Sequence, residues 1–146
     1  MESSLPEMVE KGLKALQRND TLVALIHLEN AVQAHPLPEI QSALAYCLAC
    51  ERRQFQQAQQ LCQAALAKEP NNPEHYFHLG RIYLLARQKR RAILTFRRGL
   101  KCKRYQPIID ELLRLGLRRD PTFTSLAREH FLNRSAGKLL AKLGRS

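Results

Sequence analysis

The chain has 146 residues, carries 24 Lys or Arg against 13 Asp or Glu, and has a formal net charge of +11. That length fits a single domain spanning residues 1–146, and the longest apolar run, Ala43 to Cys50, falls far short of the roughly 18 residues a membrane-spanning helix needs. Glu2, Glu7 and Glu10 without a basic start point away from a secretory signal and toward a cytoplasmic protein; in that setting Cys47, Cys50, Cys62 and Cys102 are expected as reduced thiols.

The charge is unevenly placed, with residues 1–70 summing to −2 and residues 71–146 to +13. The asymmetry points to an anionic partner near the C-terminal half or to a soluble basic surface. A spacing of 34 residues runs through the chain: Ala24, Ala58 and Ala92; Leu28, Cys62 and Phe96; Ala31, Ala65 and Gly99; Val32, Leu66 and Leu100. A unit of that length holds two helices and a turn and is stable only when stacked on neighbours.

In chain order, the first unit covers about residues 5–38, with a helix, a polar break at Asn19-Asp20, a second helix, and Pro36 closing it. The second covers about 39–72, with its break at Arg53-Gln54 and Pro70 at the close. The third covers about 73–106, opened by Pro73 and broken at Arg87-Gln88. Proline is tolerated in a first helical turn and disfavoured inside a helix, so these residues act as punctuation. Pro107 to Arg119 predicts one more helix before Asp120-Pro121 interrupts it. Ala127 and Phe131 then echo the repeat as a degenerate fourth unit. From Leu132 to Leu143, apolar Leu132, Ala136, Leu139, Leu140 and Leu143 share one face opposite Arg134, Lys138 and Lys142, the pattern of an amphipathic capping helix.

The third unit, with Tyr76, Leu79-Gly80, Tyr83, Ala92, Phe96 and Gly99, resembles the tetratricopeptide repeat, in which an aromatic, Leu-Gly, Tyr, Ala, Phe, Ala and Pro occur in this order. The second unit matches through Phe55, Ala58, Ala65, Leu66 and Pro70, and the first through Gly12, Ala24, Leu28, Ala31 and Pro36. The departures are Lys11, where the family prefers Leu, and Tyr46, where it prefers a small residue; both predict irregular packing of the first helices of units one and two. Pentatricopeptide arrays favour a slightly longer period, so the spacing of 34 argues against them. The resemblance implies an all-α, right-handed α-solenoid of stacked helix-turn-helix repeats, ended by capping helices over 107–146.

The same resemblance implies that the first helix of each unit lines a concave groove, here at Pro6, Val9, Leu13 and Leu16; Ile40, Ala43, Cys47 and Cys50; and Glu74, Phe77, Arg81 and Leu84. A mostly apolar groove suits an amphipathic helix or an extended peptide with spaced hydrophobic anchors. Phe77 is the expected anchor contact, with Glu74, His78 and Arg81 orienting polar groups. Family members that grip a C-terminal carboxylate use Lys, Asn and Arg at positions occupied here by Val9, Leu13, Leu44, Glu74 and His78, so that clamp is not expected. A second surface is cationic: nine basic residues lie between Arg87 and Arg104 with no acid among them. Arg90, Arg97, Lys101 and Arg104 form one helical stripe with Arg91 and Arg98 beside it. Such a convex ridge suits a polyanion, whether nucleic acid or an anionic surface, or is a solvated face.

Chemistry has fewer footholds. Cys47-Leu-Ala-Cys50 falls inside a helical pattern rather than after a strand at a helix N-terminus, which removes the usual source of a lowered thiol pKa. Cys62 aligns with core positions, and His27, His35, His75, His78 and His130 show no metal-ligand spacing. No phosphate loop or nucleophile elbow is present. The expectation is therefore a non-enzymatic adaptor with no cofactor and no metal, holding a protein or peptide partner.

Overall fold

The computed structural model describes residues 4–116, in which seven helices follow one another. They are α1 (Leu5–Gln17), α2 (Thr21–Ala34), α3 (Pro38–Arg52), α4 (Phe55–Lys68), α5 (Pro73–Leu85), α6 (Lys89–Cys102) and α7 (Gln106–Arg114). Contacts divide the chain into two units, Met1–Lys103 and a second that begins at Arg104. The first holds α1 to α6 as three hairpins; its fold is an all-α repeat solenoid, with no strand among the described residues.

Local chemistry sets the helix ends. Pro6, Pro38, Pro73 and Pro107 each stand in a first turn, where the missing N–H would lack an intrahelical acceptor anyway. Ser4 and Glu7 form a capping box on α1, while Asp20 and Asn72 accept from the backbone N–H of Val23 and Glu74. The three hairpin turns share one conformation. Asn19, Arg53 and Arg87, spaced at the repeat length, take φ of 61°, 53° and 61°. Asn tolerates this left-handed region; Arg53 and Arg87 do so at a cost of roughly 1 kcal/mol each.

Each hairpin packs on itself (α1 with α2, α3 with α4, α5 with α6), and α2 packs on α3, α4 on α5, and α3 on α5. This places α3 in the middle, and every residue from Ile40 to Ala49 is buried. Ser42, Ala43, Ala45, Cys47 and Ala49 keep that helix thin enough to be surrounded. Within hairpins, close approach depends on glycine. A Cβ on Gly12 would lie 2.7 Å from the Leu28 side chain, and one on Gly80 only 2.2 Å from the Phe96 ring. Tyr46 holds the equivalent place in the second repeat, opposite Cys62 where its neighbours have Leu28 and Phe96. Bulk has been exchanged between the two helices, which accommodates the departure noted at Tyr46.

Contacts between repeats also recur. Lys68 Nζ donates to the Pro36 carbonyl at 2.9 Å, and one repeat later Cys102 Sγ lies 3.7 Å from the Pro70 carbonyl. Arg52 grips Glu29 with two hydrogen bonds of 2.7 and 3.0 Å, and the Thr21 hydroxyl donates to Glu51 at 2.8 Å.

In the second unit α7 buries Ile108, Ile109 and Leu112. The helix expected from Pro107 to Arg119 stops at Arg114, because Gly116 enters the left-handed region at φ 79° and its N–H turns back to Leu113. The fourth-unit echo at Ala127 and Phe131 and the helix from Leu132 to Leu143 lie outside the described residues.

The Gly80–Phe96 contact is testable. Phe96 is fully buried, so its ring has no open space to enter. Gly80→Ala should lower stability by about 1–2 kcal/mol despite the better helix propensity of alanine, and Phe96→Leu should cost less in the Gly80→Ala background than alone. Denaturant unfolding of the four proteins of this cycle measures the coupling; simple additivity would rule out the contact.

Candidate functional site

The groove positions of the first helices behave differently in each repeat. On α1, Val9 and Leu13 are half-buried and, with Leu5, Pro6, Glu10, Lys14, Gln17 and Leu37, line a depression of about 570 Å³. Its floor is aliphatic, and its polar rim includes the Glu10–Lys14 ion pair at 2.7 Å. On α3, Ile40, Ala43 and Cys47 are fully buried and belong to the core shared with Leu25, Leu28 and Leu48. That stretch of the stripe packs inside the protein.

On α5, Glu74, Phe77, His78 and Arg81 meet one another. The Arg81 guanidinium lies 3.7 Å from the centre of the Tyr46 ring and 4.9 Å from that of Phe77, and it donates to the Tyr46 hydroxyl. His78 packs 5.4 Å from Phe77 and 6.1 Å from Tyr46, ring centre to ring centre. Its Nε2 is 3.7 Å from Glu74 Oε1. Arg81 is thus a cation held between two rings that ties α5 to α3, an arrangement worth on the order of 1–2 kcal/mol where partly desolvated. Repeat spacing alone did not identify Tyr46 as part of this cluster; its bulk at a small-residue position was the available signal.

Ionisation follows from burial. Burial pushes the His78 imidazole below its ordinary value of 6.5 against the opposing pull of Glu74, and the imidazole in turn holds the Glu74 carboxyl below the usual range. Neutral His78, donating from Nε2 toward Glu74, leaves Nδ1 as an acceptor, and that atom is buried with no hydrogen-bond partner.

A second polar group escaped the sequence reading altogether. Ser42 Oγ lies 2.7 Å from His75 Nδ1, and His75 Nε2 lies 2.7 Å from Glu69 Oε1. A carboxylate only accepts, so Nε2 carries the hydrogen and Nδ1 accepts from the serine hydroxyl. The His75 hydrogen bond, reinforced by Asn72, holds the Glu69 carboxyl below its ordinary range. The residue types are those of a hydrolytic triad. Ser42 and His75 are both fully buried, so the hydroxyl has no path to a substrate, and the chain of bonds instead fastens α3 to α5 and to the preceding turn. One repeat earlier Gln41 occupies the place of His75 and Met8 that of Ser42. Met8 offers no hydroxyl, which accounts for Gln41 Oε1 being buried without a partner.

Burial works against activation of three of the cysteines. Burial pushes the Cys47 thiol up to about 12 and raises Cys50 and Cys62 as well. Among the described residues no group of three His, Cys, Asp or Glu could hold a metal ion, and no helix is long and apolar enough to cross a membrane.

On α6, Arg90, Arg91, Arg98 and Lys101 are exposed, while Arg97 is half-buried. Arg91 is steadied by Gln88 at 3.2 Å and by the Tyr83 ring at 5.6 Å. Arg104 does not continue the helical stripe: α6 ends at Cys102, Lys103 is extended, and Arg104 begins the second unit with one guanidinium nitrogen buried and unpartnered.

Two measurements follow. Because folding favours neutral His78, protons bind the unfolded chain more readily below about pH 6.5, so stability falls on acidification from that value; the loss continues in the carboxylate range as Glu69 and Glu74 protonate. Melting temperatures from pH 7.5 to 5 should show a shallower decline for His78→Gln than for wild type, and equal declines would contradict the assignment. At neutral pH, iodoacetamide should modify only half-exposed Cys50 and Cys102 in the folded protein, and all four cysteines after unfolding. Fast labelling of Cys47, read by mass spectrometry, would overturn its buried, protonated state.

Residues 49–115 match the family model described as Tetratricopeptide repeat. No curated protein and no solved structure matches the chain.

Proposed function

We propose that the chain, whose residues 49–115 match the tetratricopeptide repeat, is a non-catalytic adaptor that docks a partner helix or extended peptide through its first repeat. The observation that carries this reading is the aliphatic depression on α1, where Val9, Leu13 and Leu37 surround a volume suited to two or three apolar side chains. Leu37 is half exposed at 50 % in the turn leading into α3, and burying it against a partner recovers free energy left unused in the isolated chain. Glu10 and Lys14 on the rim offer one charge of each sign for setting orientation, which adds specificity more than affinity. The α5 cluster supports the same reading in a narrower way: the partly exposed Glu74 carboxylate accepts, so that end of the groove favours a ligand that donates hydrogen bonds, such as a peptide backbone.

Selection from a displayed peptide library tests the proposal. Wild-type protein should enrich sequences with apolar residues at i, i+3 and i+4 or at alternate positions, and Val9→Asp with Leu13→Asp should lose at least tenfold in affinity for them while keeping its helical circular dichroism. Enrichment that survives in the folded double variant would exclude the depression as the docking site.

A further inference from the structure

The second helices of the hairpins, α2, α4 and α6, start and end 34 residues apart, yet their solvent faces carry three different chemistries. At equivalent places stand Leu22, Gln56 and Arg90; Val23, Gln57 and Arg91; Ile26, Gln60 and Leu94. All nine are exposed. The buried positions of the same helices keep Ala24, Ala58 and Ala92, so the repeat constrains the inner face and leaves the outer one free to diverge.

The outer face of α6 works against its own helix. Its first turn contains Lys89, Arg90 and Arg91 and no acid, placing positive charge at the positive end of the helix dipole. Arg97 and Lys101 are four apart and Arg98 and Lys101 three apart, spacings at which like charges repel. Among the described residues no carboxylate pairs with Lys89, Arg90, Arg98 or Lys101. A face that only needed to be soluble would gain from interspersed acids, as on α1, where Glu10 pairs with Lys14. Local repulsion along an exposed face is the mark of a surface shaped by a partner.

We infer that the outer face of α6 binds the phosphate backbone of a nucleic acid strand. The cations run from Arg90 to Lys101, about 16 Å along the axis, the rise of about five phosphates on one strand of a duplex. Most of the cations stand exposed on one helix face, which suits a phosphate backbone, whose binding free energy comes from released counterions and needs no buried side chain. Arginine predominates over lysine in the row, and its planar fork suits two phosphate oxygens at once. Exposed Leu94 is a single apolar residue in the middle of the row, too little to insert into a bilayer. The surface carries no base-reading set, so recognition is of charge and backbone, not sequence. It lies on the opposite side of the hairpin from the groove positions and stands or falls independently of the adaptor reading.

Fluorescence anisotropy with labelled 20-nucleotide single-stranded DNA, RNA and duplex, across 50 to 200 mM salt, tests it on the full chain. Arg90→Gln with Arg98→Gln is compared with Lys11→Gln with Arg18→Gln, which removes the same charge from exposed positions on α1 and at its C-cap. The α6 variant should bind about tenfold more weakly, with a salt slope flatter by about two, while the α1 variant stays near wild type. The three nucleic acids decide which form is preferred. Equal losses in both variants would reduce the effect to net charge and overturn the assignment. So would absence of binding at 50 mM salt, or tighter binding of the α6 face to poly-glutamate or to phosphatidylserine vesicles than to any of the three strands.

Discussion

The approach of two helices within one hairpin sets the terms for everything else in this molecule. At Gly80 the backbone of α5 comes so near the Phe96 ring that a single methyl group would overlap it, and the same register brings Gly12 against Leu28. Close approach of this kind fixes the angle within a hairpin. The left-handed turns at Asn19, Arg53 and Arg87 then deliver the second helix into place with nearly the same geometry each time. Repeat stacking follows, because a hairpin of fixed shape presents the same two faces to its neighbours, and the Lys68–Pro36 and Cys102–Pro70 contacts recur at equivalent positions.

The second repeat shows how far that register tolerates a change of size. Tyr46 stands where its neighbours have glycine, and Cys62 stands where they have Leu28 and Phe96, so volume moves from one helix to the other without a large change in the total. The tyrosine then reaches α5, where its ring and hydroxyl hold Arg81. A departure from the repeat pattern thus becomes a cross-repeat clasp. Ser42, small enough to sit in the crowded centre of α3, serves α5 in the same way through His75. The middle repeat is the keystone because its first helix is enclosed from several sides, and each polar group admitted there must be satisfied by a neighbour or, like Gln41 Oε1, bear the cost.

Much of this was legible from residues alone, and the boundary between what was and was not has a physical cause. The 34-residue recurrence of Ala, Leu and Pro gave the helix pairs, the turn positions and the core faces, because these depend on local propensity and on a period. Contacts across repeats were not legible. The Ser42–His75–Glu69 chain joins residues 33 and 6 positions apart with no motif between them, and its function as a clamp depends on burial, which spacing does not encode. The groove stripe, continuous in sequence over Val9, Leu13, Ile40, Ala43 and Cys47, divides in the structure, where α3 takes its members into the core. A periodic apolar face shows that a face is covered and cannot show by what. Gly116, just past the last periodic residue, was the available stop signal for α7, and it outweighed the apolar pattern running on toward Arg119.

The inner positions of the solenoid are nearly interchangeable between repeats and the outer ones are not, and that contrast bears on how such a protein acquires partners. Substituting Arg90 for Leu22 or Gln56 leaves the hairpin geometry untouched, since none of these side chains enters the stack. Each outer helix can therefore take on a different chemistry at little structural cost: aliphatic on α2, amide on α4, cationic on α6. The costs that remain are local, namely exposed Leu22, Val23 and Ile26 on α2 and self-repulsion on α6. Leu22, Val23 and Ile26 make only a small apolar patch; a row of cations opposing its own helix dipole is rarer, because a single glutamate in the first turn would relieve it. The self-repulsion gives the α6 face a stronger claim to a ligand than the aliphatic face of α2, although both are free of the core.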